Sequence, residues 1–479
     1  MAWLGGSQMA DKLSVLDAPG GRSGMGVWQD KNGSAWMFGG IGMSNTPTAG
    51  PTLLNDLWQF TDHNRTWRQV HPGTVSNLTV AASRSPQIPR PRQLSAVCGS
   101  GKIMVVFGGL ADDGKALGDL WVFDISKNVW RMLRSTYAGA PSNAANNETD
   151  QEQEETGPTA RGDMAQWCTK THLYIFGGIN GSNYILMDMW KLCLQDLTWE
   201  ELLSSQLAPA AISNQKTASY PSGRNGAMTW VVEPGTLYMF GGNILSKYPI
   251  RQHIASGYTS DLWRYTIAND SWKFLKGHTQ PGQPGRYGSV DELAADSVPG
   301  CRRGGATWTD SHNFLWLFGG EGADTRVPSD VRSARLLSDQ WRFYTPRNSW
   351  EWMGGSSEGD APAAFKKQGR LTHTALPGGR ADAGAWKHDN QTFYLFGGLG
   401  HDGKQHDGYL NDLWLLDVSE TLTYRFFVPA VYGFGIIFVA VSLVLCLIVV
   451  ALYARDRSKE PFWRRGRRPR YSTVPDSDT

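Results

Sequence analysis

The sequence predicts an all-β domain of six four-stranded antiparallel blades arranged radially, followed by one membrane-spanning helix and a short disordered tail. Three features carry this expectation. A double glycine ends an apolar strand six times, at Gly39-Gly40, Gly108-Gly109, Gly177-Gly178, Gly241-Gly242, Gly319-Gly320 and Gly397-Gly398, with successive copies 64 to 78 residues apart. Each is followed by an Asp-x-Trp strand, at Asp56, Asp119, Asp188, Asp261, Asp339 and Asp412. Residues 426–454 form an uncharged run of 29 residues, more than the roughly 20 that cross a bilayer.

Each unit reads as four short strands in a fixed order. The first is led by an arginine, at Arg22, Arg92, Arg161, Arg224, Arg303 and Arg380; the second ends in Gly-Gly; the third carries Asp-x-Trp; the fourth carries Trp67, Trp130, Trp199, Trp272 or Trp350. A four-stranded sheet of this kind cannot stand alone, and radial packing buries both of its faces. The 21 Trp, against 18 Phe and 16 Tyr, supply flat rings to fill the seams. The sixth unit lacks a fourth strand, but Ala2-Trp3-Leu4-Gly5-Gly6-Ser7 matches Glu351-Trp352-Met353-Gly354-Gly355-Ser356. Residues 1–20 are therefore expected to close blade six. The six repeats fill 21–418, with a linker at 419–425, the helix at 426–454 and a basic tail at 455–479. In this register Met1 falls where other units carry Trp, and residues 1–20 hold no apolar run, so a signal peptide is expected further upstream.

The order Gly-Gly, Asp-x-Trp, Trp resembles the Kelch repeat family over residues 3–418. The resemblance implies a six-bladed Kelch-type β-propeller of the galactose oxidase/Kelch superfamily, serving as a protein or glycan interaction platform with a receptor or adhesive role. Loops and pocket arginines at one face of such rings bind acidic peptides, so the arginine series is a candidate lining for a central channel, structural pairing being the alternative. Among membrane-anchored relatives the chain looks most like the attractin type, without that type's EGF-like and CUB modules.

Composition narrows the function further. Glycine is 55 of 479 residues and charged residues are 19%, which excludes disorder for most of the chain. The net charge of +2 divides into +4 after Ala454, from eight Lys/Arg and four Asp/Glu, and −2 before it, so no nucleic-acid-binding surface is expected. Arg425 alone precedes the apolar run while those eight basic residues follow it, which places the C-terminus in the cytosol and the blades in the lumen or outside the cell. Sequons at Asn32, Asn64, Asn77, Asn147, Asn180, Asn269 and Asn390 all precede the run and are glycosylation candidates. The expected location is the plasma membrane or the endolysosomal system, and the eight residues between Asp417 and Phe426 span at most about 28 Å.

Remaining motifs have plain readings. Arg161-Gly162-Asp163 spells an integrin-recognition tripeptide, yet Arg161 is in register with the repeat arginines. His401-Asp402-Gly403-Lys404-Gln405-His406-Asp407 and Ala111-Asp112-Asp113-Gly114-Lys115 fill equivalent loops and read as turns rather than metal sites. Glu148, Asp150, Glu152, Glu154 and Glu155 read as a solvated loop. Cys98, Cys168, Cys193 and Cys301 are expected to be buried thiols and Cys446 lies within the apolar run. No catalytic, cofactor or metal constellation stands out, so the chain is read as a non-enzyme; a galactose-oxidase-like copper enzyme is the minor alternative. Tyr471 and Val474 match the pattern that clathrin adaptors read as an added strand. The expected partners are a protein ligand at a propeller face, the bilayer through 426–454 and an adaptor through the tail. A cytosolic Kelch scaffold tail-anchored to an organelle is the main alternative.

Overall fold

The strand Ile103–Leu110 (Ile-Met-Val-Val-Phe-Gly-Gly-Leu) is buried along nearly its whole length, on both faces. A continuous apolar run of this kind is what a strand needs when sheets pack against both of its sides. A computed structural model of the chain describes residues 1–15, 17–45, 50–73, 88–134, 157–204, 220–244, 257–290, 292, 294, 296–325 and 334–418. Residues 1–417 form one compact unit, and of the second, 418–479, only Val418 is described.

The first unit is a six-bladed β-propeller. Blade two, typical of the set, runs Ala96–Ser100, Ile103–Leu110, Ala116–Asp124 and Val129–Arg134 from inside to outside in antiparallel order. The first strands touch their neighbours all round the axis, including Gly384–Lys387 of blade six against Gly26–Gln29 of blade one. Blade six is completed by Ala2–Gly5, which pairs antiparallel with Asp407–Asp417, Trp3 lying opposite Trp414. In blade five Trp352 lies opposite Trp341, the same relation.

Tryptophans fill the seams as the repeat predicts. The fourth-strand Trp of blades one to five packs on the preceding blade: Trp130 lies 5.3 Å from Phe38, Trp199 5.0 Å from Phe107, and Trp350 5.1 Å from Phe240, centroid to centroid. Across the closing seam Trp67 of blade one sits 5.0 Å from Phe396 of blade six. First-strand tryptophans reach the other way, Trp167 Nε1 donating to the Tyr238 carbonyl and Trp230 Nε1 to the Trp316 carbonyl of the next blade, both at 2.8 Å.

The double glycine has a steric cause. Gly39 and Gly40 have φ of 63° and 98°, and a Cβ on Gly39 would lie 2.8 Å from the Arg92 carbonyl oxygen of the next blade. Only glycine takes this conformation without strain while the neighbouring backbone comes this close. The approach is used: the Gly40 amide donates to that same carbonyl at 2.9 Å.

Among the described residues no helix is long and apolar enough to cross a membrane. The run 426–454, Cys446, and Tyr471 and Val474 lie outside the described residues, as do Asn77, Asn147 and the acidic loop 148–155.

Candidate functional site

The repeat arginines were candidates for a channel lining, and their surroundings decide the matter. Each forms a bidentate pair with the aspartate of its own blade: Arg22–Asp56, Arg92–Asp119, Arg161–Asp188, Arg224–Asp261, Arg302–Asp339 and Arg380–Asp412, all closing at 2.6–2.7 Å with guanidinium groups essentially unexposed. In blade two, Nη1 also donates to the Gly108 carbonyl at 2.9 Å and Nε to the Arg90 carbonyl at 3.0 Å. The aspartate's second oxygen accepts Nε1 of the Trp two residues on, 2.7 Å from Trp121. Arg, Asp-x-Trp and Gly-Gly are thus one structural unit. The six arginines cannot receive an acidic partner, and Arg161 is unavailable to an integrin. Burial opposes ionisation of Asp119 and Asp261, but their arginine partners hold both carboxyls below the usual range.

Blade five corrects the expected register. Its structural arginine is Arg302, and Arg303, taken from the sequence as the repeat residue, turns to the axis instead. A double arginine leaves the choice open in sequence; burial selects the residue that can reach Asp339.

At the axis the third residue of each Arg-led turn has positive φ: Gly24, Leu94, Asp163, Gly226, Gly304 and Asp382. Their backbones form a closed circle of hydrogen bonds. Gly24 N donates to Asp382 O, Leu94 N to Gly24 O, Asp163 N to Leu94 O, Gly226 N to Asp163 O, Gly304 N to Gly226 O and Asp382 N to Gly304 O, at 2.7–3.0 Å. This circle marks one face of the propeller, the ring face; the hairpin turns at 30–34, 62–65 and 389–391 lie at the other ends of the strands, the turn face.

Around the circle, the residues following the double glycines enclose the centre of the ring face, here called the basin. Pairings of Ser23 with Ile41, Gln93 with Leu110, Gly162 with Ile179, and Ala381 with Leu399 set an apolar arc across blades six, one, two and three. Leu399 is 39% exposed. Blades four and five pair Asn225 with Asn243 and Arg303 with Glu321, a polar arc. Here Arg303 Nη2 lies 3.3 Å from both Asp163 Oδ2 and Asp382 Oδ2, Nη1 lies 3.4 Å from Glu321 Oε2, and Asn225 Nδ2 donates to Asp163 Oδ2 at 2.6 Å. Burial pushes the Asp163 carboxyl up to about 6, opposed by Arg303 and reinforced by Asp382. Sequence reading did not single out Asp163, Asp382 and Asn225 as a group; stacking the six turns on one another is the signal that would have.

The cysteine expectation needs a second correction. Cys98 and Cys168 form a disulfide, with Cα atoms 5.3 Å apart. Comparing cysteines within one blade missed it because the bond joins first strands of neighbouring blades. Cys98 occupies the register position held elsewhere by Trp28, Trp167, Trp230, Trp308 and Trp386. Where those indoles reach into the next blade, a short Cys98 reaches Cys168. Cys193 and Cys301 are free thiols, and burial pushes Cys301 up to about 11.

Asn32, Asn64, Asn269 and Asn390 are exposed in turns of the turn face, and Asn180 is half-buried in a ring-face loop where its Oδ1 accepts the Ser182 and Tyr184 amides. Asp402 Oδ1 accepts the Lys404 and His406 amides at 2.7 and 3.0 Å, which is turn chemistry.

Six blades locked by the Arg–Asp–Trp unit define a Kelch-type propeller, and comparison with known proteins agrees. Residues 74–290 match the KLHDC2/KLHL20/DRC7 Kelch-repeats domain. The chain is 23% identical over 313 residues to the leucine-zipper-like transcriptional regulator 1 homolog of Drosophila melanogaster, covering 64% of this chain and 25% of that protein. It is 24% identical over 237 residues to human Kelch domain-containing protein 10, covering 46% of each, and 24% identical over 293 residues to Adagio-like protein 3 of rice, covering 58% of this chain and 36% of that protein. The chain thus spans between about a quarter and a half of the length of these relatives. These matches are to Kelch-repeat proteins, in agreement with the six-bladed propeller seen here.

Proposed function

We propose that this propeller is the lumenal or extracellular part of a single-pass membrane protein and that the ring-face basin docks a partner protein. The basin carries the docking reading: it combines a part-exposed apolar arc with a polar one, whereas the arginine units around it are internally satisfied. The Cys98–Cys168 bond supports an oxidising compartment, since cytosolic proteins rarely keep structural disulfides. Exposed sequons and the charge asymmetry about 426–454 support the same orientation.

Two measurements test this. Digestion with an N-glycosidase removes several glycans, and alkylation before reduction leaves Cys98 and Cys168 unlabelled; an unshifted band with both thiols labelled returns the chain to the cytosolic, tail-anchored reading. A photo-crosslinking residue at Leu399 on the ring face yields a discrete protein adduct in cells, while one at Val129, 55% exposed beside the 125–128 turn, does not. The reverse pattern refutes docking at the basin.

A further inference from the structure

The polar arc of the basin is short of positive charge. Three carboxylates, Asp163, Asp382 and Glu321, share the single guanidinium of Arg303. Asn225 is 6% exposed, donates its Nδ2 to Asp163, and has no partner for its Oδ1, a buried acceptor beside the buried carboxylate. A buried acceptor left without a donor is costly, and an added donor recovers that cost. The carboxylates stand around Arg303, and among the described residues no group of three or more His, Cys, Asp or Glu side chains is arranged to hold a metal ion. Approach from solvent is open, because the side chains of Asp382 and Glu321 keep 20% and 31% exposure and Leu399, on blade six beside Asp382, is 39% exposed.

We infer that the basin takes a positively charged side chain, the ammonium of a lysine or the guanidinium of an arginine, presented by a partner protein between apolar residues. This rests on the docking reading above. The cation sits among Asp163, Asp382 and Glu321 and donates to Asn225 Oδ1, while the flanking residues lie on Ile41, Leu110, Ile179 and Leu399. Arg303 Nε, an unpaired donor, takes a backbone carbonyl of the same segment. An acidic segment is disfavoured, since it would meet three carboxylates and an arginine already engaged.

The test uses the full chain in detergent and three fluorescent peptide pools, Ac-Gly-Z-Z-B-Z-Z-Gly-amide. Z is drawn from Leu, Ile, Val and Ala, and B is Lys, Glu or norleucine. Anisotropy is expected to show the Lys pool binding at least about tenfold tighter than the Glu pool. Asp382→Asn and Glu321→Gln are each expected to weaken the Lys pool by about fivefold without moving the unfolding midpoint. Equal or tighter binding of the Glu pool overturns the inference, as does a Lys preference unchanged in both variants. Should the norleucine pool match the Lys pool and both be lost in Leu399→Arg, docking at the basin stands and the cation specificity falls. Binding by no pool also overturns the inference, and the crosslinking comparison then decides on docking separately.

Discussion

Replacing Asp119 by Asn tests the Arg–Asp–Trp unit most sharply. Asp119 receives Arg92 Nη1 and Nη2 at 2.6 and 2.7 Å and Trp121 Nε1 at 2.7 Å, and the Arg92 side chain has no exposure. The amide keeps nearly the same shape but leaves a full positive charge buried without a counter-charge. Breaking a buried pair in this way costs about 3–5 kcal/mol, against a total of about 5–15 kcal/mol for a domain. Urea unfolding followed by tryptophan fluorescence measures it. Glu200→Gln is the control: its pair with Lys191 closes at 2.9 Å but Glu200 is 62% exposed, and the loss is expected to stay under about 1 kcal/mol. The pH dependence has a definite sign. Arg92 holds the Asp119 carboxyl below its ordinary 3.8, so this contribution is present above pH 3.8 and disappears as pH falls through the depressed value. The deficit of Asp119→Asn should be constant from pH 5 to 8 and shrink only below about 4. A loss no larger than that of Glu200→Gln would refute the reasoning.

Other consequences are open to measurement. Cys98→Ser with Cys168→Ser should lower stability by about 4 kcal/mol, the loop entropy for a separation of 70 residues, and make the unfolding midpoint insensitive to reductant; a wild-type midpoint unmoved by reduction contradicts this. Asp163 has its carboxyl raised from 3.8 to about 6, so its contribution is fully present below 3.8 and lost as pH rises through 6, a span of about 3 kcal/mol. Asp163→Asn should therefore be more stable than wild type at pH 7.5 and lose that advantage at pH 4, and a pH-independent difference rules this out. Removing residues 1–6 strips the fourth strand from blade six, exposes the edge at 413–415, and should lower the midpoint and admit protease between 384 and 417; an unchanged midpoint counts against closure by this strand.

Much of this fold is legible because each repeat feature answers a local steric or pairing need. Gly39-Gly40 must be glycine where the next blade's carbonyl approaches, and Trp67 or Trp350 must be large to fill a seam, so such positions recur and can be aligned. Likewise, the match between residues 2–7 and 351–356 is visible because both strands pair with the same kind of Asp-x-Trp strand. What the sequence hides are contacts between blades. Cys98 and Cys168 are 70 residues apart and meet because neighbouring first strands converge at the axis. Arg302 and Arg303 are identical side chains in adjacent positions, and their opposite roles follow from strand alternation. The basin is assembled from one or two residues per blade, Asp163, Asn225, Arg303 and Asp382 among them, which vary because the repeat does not constrain them. The proposed partner recognition draws on those unconstrained positions, so the regularity that reveals the fold is silent about it.

Native-state hydrogen exchange at the axis tests the closed propeller most directly. Amides of Gly24, Leu94, Asp163, Gly226, Gly304 and Asp382 each donate to the adjoining blade. All six should rank among the slowest in the chain, exchanging only with global unfolding. Rapid exchange at Gly24, while the other five stay protected, would show the seam between blades six and one to be open and would contradict the account.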